Sequence, residues 1–332
     1  MKRRQFLKLL GSAGAMAWHD SGMACSREYT IDTVHSFSEH EATIAIRGLK
    51  KVTRVLHVAD SHISVFDESE AAFHQYAARM DKAYSSVPHY KTGKPTRPAD
   101  NFLKLMKMGT DKQVQLIALT GDIINNPSPA SVRFVAKAVK KTGIPFMYVA
   151  GNHDWHYEGL PGTRAQLRQT WIEKSLLPLY GVKNPLYASN VIGGINFVTI
   201  DNSTYQVNDE QLKFFRRETA RNMPLVLLMH IPLYLPKDAG SNSVSICGDP
   251  RWGWDIDKNY KAERRERWSK DGNLPSTNAF VENVKQARNL AAVLVGHTHR
   301  SRADTISETA VQYVTALAAD GQYRLITFKP LP

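Results

Sequence analysis

Residues 54–62 read RVLHVADSH, a short apolar run that ends on two polar side chains, Asp60 and His62. Runs of this length that are rich in valine and leucine are typical of buried strands. The same pattern of an apolar run followed by polar side chains returns at residues 114–122, 145–154, 224–230 and 292–299. The sequence therefore predicts five strands that deliver polar side chains to one edge of a sheet.

Helical stretches separate several of these strands. Apolar residues recur at helical spacing in 131–141, 209–221 and 278–289. Because strand, helix and strand alternate along the chain, we expect an α/β core whose central strands are largely parallel.

Other segments do not follow this alternation of strands and helices. Residues 42–47, 194–201 and 310–328 are predicted to be antiparallel or peripheral strands, the last one broken at Ala319-Asp320-Gly321. Two segments, at about 63–101 and 233–276, are predicted to be insertions after a motif strand, where they could overhang the site. The first contains a helical piece at 68–84 and a polar, proline-containing loop at 88–98, and the second is rich in Gly, Pro, Trp and charge. No long linker divides the chain, so we predict one domain over residues 40–329.

The composition is that of a globular protein with a basic surface. Hydrophobic residues make up 42% of the 332 residues, and the formal net charge is +12. No apolar run approaches the roughly 20 residues that a membrane-spanning helix needs. A basic surface attracts anions, either phosphorylated molecules or nucleic acid. Two cysteines, Cys25 and Cys247, exclude a disulfide framework and leave room for one bridge only if Cys25 survives processing.

The chain opens with a charged segment and a short, mildly apolar one. Residues 1–8 read MKRRQFLK, which resembles a twin-arginine export signal. We expect a leader over residues 1–25, cleaved after Ala17 or, as an alternative, lipid-anchored at Cys25. The export machinery is then a partner, and the mature protein is periplasmic or extracellular. The competing interpretation is a basic N-terminal helix.

The five strand ends carry oxygen or imidazole donors and no thiolate. They are Asp60, His62, Asp122, Asn152, His153, Asp154, His230, His297 and His299. A set with this much imidazole suits iron, manganese or zinc, and contains too much nitrogen for a calcium or magnesium cage. The carboxyl edge of an open α/β sheet is also where sites form.

The spacing of these residues has physical reasons. Asp60 and His62 are two apart, as are His297 and His299, so in extended backbone the side chains of each pair point the same way. Gly121, Gly151 and Gly296 each precede a donor. A residue without Cβ permits a sharp turn and lets the backbone approach a metal closely. A single Asp at a strand end is usually a turn former, and a single His is usually structural, as we expect for His57. Five clusters in this order argue against coincidence.

These motifs resemble those of the calcineurin-like metallophosphoesterase family, whose pattern is D-x-H, G-D-x-x-N or -D, G-N-H-D or -E, a lone His, and G-H-x-H. The matching residues are Asp60-Ser61-His62, Gly121-Asp122-Ile123-Ile124-Asn125, Gly151-Asn152-His153-Asp154, His230 and Gly296-His297-Thr298-His299. The resemblance implies a four-layer α/β/β/α sandwich with mixed central sheets. The sequence looks most like the branch that contains cyclic-nucleotide and glycerophosphodiester phosphodiesterases. Asn125 stands where purple acid phosphatases carry tyrosine, which argues against that second branch.

The resemblance also implies a role for each residue. Two divalent or trivalent transition-metal ions are expected, with Asp122 bridging them. One ion would take Asp60, His62, Asp122 and His299, and the other would take Asp122, Asn152, His230 and His297. His153 would contact the phosphate, and Asp154 would orient His153. A hydroxide bridging the ions would be the nucleophile, so no Ser or Cys nucleophile is needed.

The expected activity is hydrolysis of a phosphodiester on a phosphorylated small molecule. A phosphomonoesterase on the same site is the alternative, followed by a nuclease and a non-catalytic scaffold. The mixed charge of residues 260–268 is more typical of a solvated helix face, so no stable nucleic-acid partner is expected. Candidate substrate contacts are Asn152, Trp155, His156, Tyr234, Arg251 and Trp252.

Overall fold

The structure is a computed structural model that describes residues 29–235, 259–264, 266 and 272–332. Its strands are β1 (Thr33–Phe37), β2 (Glu41–Arg47), β3 (Thr53–Val58), β4 (Val87–Pro88), β5 (Pro95–Thr96), β6 (Leu116–Thr120), β7 (Phe146–Val149), β8 (Tyr187–Ile192), β9 (Ile195–Ile200), β10 (Leu225–Leu228), β11 (Leu290–Val295), β12 (Arg302–Thr305), β13 (Val311–Val314) and β14 (Arg324–Leu331). Its α-helices are α1 (His74–Tyr84), α2 (Pro98–Asp111), α3 (Pro129–Lys141), α4 (Arg164–Trp171), α5 (Leu177–Tyr180), α6 (Asp209–Thr219), α7 (Asn259–Ala262) and α8 (Pro275–Gln286). Short 3₁₀ segments lie at Glu68–Phe73 and Ala318–Asp320, and a π-helical segment lies at Ile172–Leu176.

Two six-stranded sheets form the centre of the molecule, in the orders β1-β2-β14-β3-β6-β7 and β12-β13-β11-β10-β9-β8. Strands β3, β6 and β7 run parallel to one another, as do β9, β10, β11 and β13. Antiparallel pairs lie at β1–β2, β14–β3, β12–β13 and β8–β9. The prediction of an α/β core with largely parallel central strands is therefore confirmed.

Three apolar clusters separate four layers. One cluster lies between the sheets and includes Val55 and Leu116 of the first sheet with Phe197 and Leu294 of the second. Alternate residues of the first sheet pack with helices α1 to α5, and the second sheet packs with α6 and α8. The predicted four-layer α/β/β/α sandwich is confirmed, and it explains why the central strands are apolar on both faces.

Local chemistry sets the helix starts. Pro129 begins α3, where its missing N–H costs nothing, and the side chain of Ser128 accepts a hydrogen bond from the amide of Ser131. Asn208 and Gln211 form a reciprocal capping box at the start of α6. Both helices follow the apolar spacing seen in the sequence.

The peripheral strands differ in part from the prediction. The segment 194–201 was expected to be antiparallel or peripheral, and β9 does pair antiparallel with β8. It also pairs in parallel with β10 and all six of its residues are buried, so it is not peripheral. The reason is that β8 covers its other side and occupies the edge. Strand β1 precedes residue 40, the start of the predicted domain, and pairs with β2. Across the described part of the chain, no helix has the length and apolar character needed to cross a bilayer.

Candidate metal centre

The strand ends bring the predicted donors to one place. Asp60 and His62 follow β3, Asp122 follows β6, Asn152 to Asp154 follow β7, His230 follows β10, and His297 and His299 follow β11. Their ligand atoms form three groups whose members lie within 4.8 Å of one another. The groups are Asp60, His62 and His299; His62, Asp122 and His153; and Asp122, His230 and His297.

One end of the site joins the first and last motifs of the sequence. Nε2 of His299 lies 3.4 Å from Oδ1 of Asp60. The Nε2 atoms of His62 and His299 face each other at 3.2 Å. Two imidazoles and a carboxylate that converge this closely form a set of electron-pair donors suited to a cation, and His299 is the exposed member of the set.

The other end of the site centres on His230, which is fully buried. Its Nδ1 lies 2.9 Å from the carbonyl oxygen of Thr120 and donates to it. That bond leaves Nε2 as the ligand atom of the neutral ring, 3.1 Å from Oδ2 of Asp122. The ring of His297 meets the ring of His230 edge to face at 5.0 Å.

Several buried polar atoms of the site have no hydrogen-bond partner among the described residues. They are Oδ1 of Asp60, Nδ1 of His62, Oδ1 of Asn152 and Nε2 of His230. Each unsatisfied buried polar atom costs about 1–3 kcal/mol. Cations bound among these atoms would satisfy them, so the residues present fit a pair of metal ions.

Asp60 and Asp122 each use one carboxylate oxygen to accept from a backbone amide and direct the other toward the donor groups. Oδ2 of Asp60 accepts from the amide of His297 at 2.9 Å, and Oδ1 of Asp122 accepts from the amide of His153 at 2.8 Å. The second oxygen of each points into the donor groups, toward His299 and His230 respectively. One oxygen thus fixes a ligand-bearing loop while the other stays available to a metal.

Asp154 acts on the loops rather than on the donor groups. Its carboxylate is buried and accepts from the amides of Asp122, Ile124 and Gly151 at 2.7–2.9 Å. Those three bonds fix the turn that carries Asp122 against the turn that carries His153. The predicted orientation of the His153 ring by Asp154 stays a prediction.

Most of the donors adopt the left-handed region of backbone space. The φ angles are 56° at Asp60, 42° at His62, 50° at Asp122, 72° at His297 and 56° at His299. The expectation that the paired donors share a direction because their backbone is extended was wrong. These residues lie beyond the ends of the strands, where the chain turns. Left-handed backbone at a non-glycine residue raises the conformational free energy by about 1–2 kcal/mol for each residue.

The motif glycines are required by space, as the sequence predicted. A Cβ on Gly121 would lie 2.5 Å from Nδ1 of His230. A Cβ on Gly151 would lie 2.1 Å from Oδ1 of Asp122, and one on Gly296 would lie 2.4 Å from Oδ2 of Asp60. Any side chain at these positions would displace a donor.

Burial and charge shift the acid–base properties of the donors. Burial lowers the pKa of His62 to about 4. Burial also disfavours the charged form of His230, but the Asp122 carboxylate outweighs it and raises that pKa to about 9. Burial and the nearby Asp122 raise the pKa of Asp154. Metal binding at His230 would therefore displace a proton.

Three residues of the site escaped the sequence analysis. The ring of Tyr84, at the end of α1, stacks on His62 at 4.1 Å and 14°. Oε1 of Glu263 lies 3.7 Å from Nε2 of His153. Oδ1 of Asn202 accepts from the amides of His230 and Ile231. Tyr84 lies in the segment 63–101 and Glu263 in the segment 233–276, both of which were expected to overhang the site. That expectation was the only indication in the sequence that these two residues would reach it.

The predicted substrate contacts divide into three cases. Trp155 is buried and donates from Nε1 to Oγ of Ser203 at 2.8 Å, which is a packing role. His156 is buried with Nε2 at 3.0 Å from the carbonyl oxygen of Glu263, and Tyr234 is half-buried. Substrate contact by His156, Tyr234 and Asn152 stays a prediction. Arg251 and Trp252 lie outside the described residues, as do Cys25 and Cys247.

Residues 53–301 match the model of the calcineurin-like phosphoesterase family. The match covers most of the chain, and the chain belongs to this family. It is a hydrolytic phosphoesterase, and the family uses dinuclear metal centres.

Three relatives illustrate the range of similarity. A probable cyclic nucleotide phosphodiesterase of Fibrobacter succinogenes is 23% identical over 221 residues, which cover 65% of this chain and 69% of that protein. A probable cyclic nucleotide phosphodiesterase of Psychrobacter arcticus is 38% identical over 56 residues, 16% of this chain and only 20% of that protein. A dimetal phosphatase from Danio rerio superposes with a TM-score of 0.49 at 11% identity, over 82% of this chain and 91% of that one.

Proposed function

We propose that the protein is a dinuclear metal-dependent phosphodiesterase. One ion would be held by Asp60, His62, Asp122 and His299, and the other by Asp122, Asn152, His230 and His297. The observation that carries this proposal is the overlap of the donor groups, because Asp122 belongs to two of the three. A shared carboxylate between two sets of donors is what a bridged pair of ions requires.

The protein's own residues supply positioning for the reaction. When bound, the two ions would lower the pKa of a water molecule and neutralise charge on the phosphoryl oxygens. The amide of His153 is fixed by Asp122, and its ring lies edge to face with His62 at 4.9 Å. His153 is thus placed to donate a hydrogen bond to a phosphoryl oxygen. Asp154 supports this placement through the backbone bonds of both turns.

The preference for diesters rests on other support. The Fibrobacter relative is named a probable cyclic nucleotide phosphodiesterase and aligns over about two thirds of both chains. Asn125 is also a non-tyrosine residue at the position where purple acid phosphatases carry tyrosine. The first observation favours diesters over monoesters, and the second argues against the purple acid phosphatase branch.

Metal analysis combined with a substrate pair tests the proposal. We expect two transition-metal ions per chain, and hydrolysis of bis(p-nitrophenyl) phosphate at least about 10-fold more efficient in kcat/KM than that of p-nitrophenyl phosphate. A preference for the monoester would retain the metal centre and reject the diesterase. Two bound ions without turnover of either ester would instead identify a non-catalytic scaffold.

We also propose that the protein is exported by the twin-arginine route. The support is the string Arg3-Arg4-Gln5-Phe6-Leu7-Lys8 followed by a mildly apolar segment. Replacement of Arg3 and Arg4 by lysine keeps the charge but removes the pair. We expect the variant to stay in the cytoplasm in a fractionation experiment, and export of the variant would refute the route.

A further inference from the structure

A cleft of about 830 Å³ lies beside the candidate metal centre. Its lining includes His299, which is also a proposed metal ligand, and the three arginines Arg300, Arg302 and Arg324. A molecule held at the centre can therefore extend into this cleft. The volume is that of a pocket for a nucleotide-sized group rather than for a single small ion.

Arg324 is the unusual residue of the cleft, because its side chain is only 1% exposed. Its guanidinium donates to the carbonyl oxygens of Ser38 and Val314 at 2.8 and 3.2 Å and to Oγ of Ser301 at 2.5 Å. Its Nε has no hydrogen-bond partner among the described residues, and it forms no ion pair with the carboxylates that the structure describes. Burial of an unpaired charge is costly, so an anion nearby would stabilise it.

The remaining charged residues of the cleft also leave it with net positive charge. Arg300 is exposed and has no carboxylate partner within the described part of the chain. Arg302 is paired with Asp304, with Nη2 at 3.0 Å from Oδ1. Glu39 is the one carboxylate of the lining, and it is exposed to solvent. The cleft is therefore positive, and Arg300 is its accessible, uncompensated cation.

We propose that this cleft binds a second phosphate group of the substrate. The preferred substrates are then phosphodiesters that carry a phosphate monoester on one of their alcohol groups. This inference rests on the proposed function, since it assumes that the scissile phosphate lies at the metal centre. A phosphate dianion suits this cleft because the exposed guanidinium of Arg300 presents a fork of N–H donors, while Arg302 and Arg324 add positive charge nearby.

A pair of nucleotides that differ by one phosphate tests the cleft without any turnover. Thymidine 3′,5′-bisphosphate and thymidine 5′-monophosphate are titrated into metal-loaded full-length protein by calorimetry. We expect the bisphosphate to bind about 10-fold more tightly, the equivalent of one charge-assisted hydrogen bond. In Arg300→Gln the ratio of the two Kd values should fall below about 3-fold.

Arg54→Gln is the matched control, because it removes the same charge from an exposed position at the other end of β3 from Asp60. Its ratio should equal that of the wild type. Arg300 is used in preference to Arg324, whose guanidinium ties several strands together. A wild-type ratio near one, or an equal fall in both variants, would overturn the cleft proposal.

The outcomes separate this proposal from the proposed function. Turnover of bis(p-nitrophenyl) phosphate with a binding ratio near one would retain the phosphodiesterase and reject the second phosphate site. Absence of both metal and nucleotide binding would reject both. Equal binding of the two nucleotides, with inorganic phosphate binding lost in Arg300→Gln, would assign the cleft to a free anion and refute a substrate subsite.

Discussion

The two sheets contribute different chemistry to the centre. The first sheet supplies both donor-group carboxylates, Asp60 and Asp122, whereas the second supplies only imidazoles, from His230, His297 and His299. The two halves meet through bonds such as that from the amide of His297 to Asp60. Negative charge therefore comes from one half, and the second half completes the coordination without adding charge. Loss of a residue from each half should have different consequences.

The largest effect is expected for Asp122, the carboxylate shared by two donor groups. Asp122→Asn keeps the shape but removes the charge, and we expect both ions to be lost and kcat/KM to fall by about 10⁴-fold or more. Metal analysis and steady-state kinetics measure both quantities. Asp111→Asn, at an exposed carboxylate on α2, is the control and should behave as the wild type. An active, fully metallated Asp122→Asn protein would refute the bridge.

Replacement of a donor from the second sheet should reduce metal content and activity less than replacement of Asp122. His297 belongs to one donor group only, so His297→Gln should lose one ion and reduce kcat/KM by roughly 10²–10³-fold. The same metal analysis, run beside Asp122→Asn, compares the two sheets directly. Loss of both ions from His297→Gln as well as from Asp122→Asn would show that the two sheets do not differ in their contribution to metal binding.

His153 belongs to the first sheet but is proposed to act on the phosphate. His153→Gln should keep both ions and lose turnover by roughly 10²–10⁴-fold. The decisive readout is metal content, because a ligand role and a phosphate role predict opposite results. Release of an ion from this variant would reassign His153 to the metal.

His57 probes the contact between the sheets. Its imidazole contacts the hydroxyls of Thr120 and Thr315 at 2.7 and 2.5 Å, and burial together with the charge of Arg324 lowers its pKa to about 3. The folded state therefore binds fewer protons than the unfolded chain between about pH 6.5 and 3, so stability is lost as the pH falls through that window. Relative to His57→Gln, the wild type should lose about 2 kcal/mol of unfolding free energy between pH 7 and 5. Urea titrations at both pH values measure this, and parallel pH profiles would contradict it.

The smallest effect is expected for Tyr84, whose ring stacks on His62. Tyr84→Leu should weaken metal affinity by roughly 3-fold to 10-fold, because a ring contact contributes about 0.5–1.5 kcal/mol. Tyr84→Phe keeps the ring and should keep the affinity, as measured by competition with a chelator. Equal weakening in both variants would assign the effect to the hydroxyl.

The sequence predicted the strands and the donors because both are local signals. An apolar run followed by polar side chains marks a strand end, and parallel strands place such ends at one edge. His57 was expected to be structural, and the structure confirms it as a buried, hydrogen-bonded side chain. The four layers were expected from the family resemblance, and in the structure alternate residues such as Val55 and Leu56 of β3 face different apolar clusters.

The sequence could not show what depends on contacts between distant parts of the chain. Asp60 and His299 have left-handed backbone, so extended backbone was the wrong expectation. At Asp60 the amide donates to the carbonyl oxygen of Gly121 and the carbonyl oxygen accepts from the amide of Ala319, and both partners are distant in the sequence. The contacts of Tyr84 with His62 and of Glu263 with His153 join residues far apart in the sequence, and no motif around Tyr84 or Glu263 indicates them. The parallel pairing of β9 likewise depends on which strand occupies the sheet edge.

The divided oxygens of Asp60 and Asp122 have a consequence for assembly. Each carboxylate accepts from an amide of a different loop, so backbone peptide groups hold the ligands at their spacing. The protein backbone, and not the bound ion, then determines the distances between the ligand atoms. Exchange of one transition metal for another should then alter reactivity while leaving the surrounding architecture unchanged.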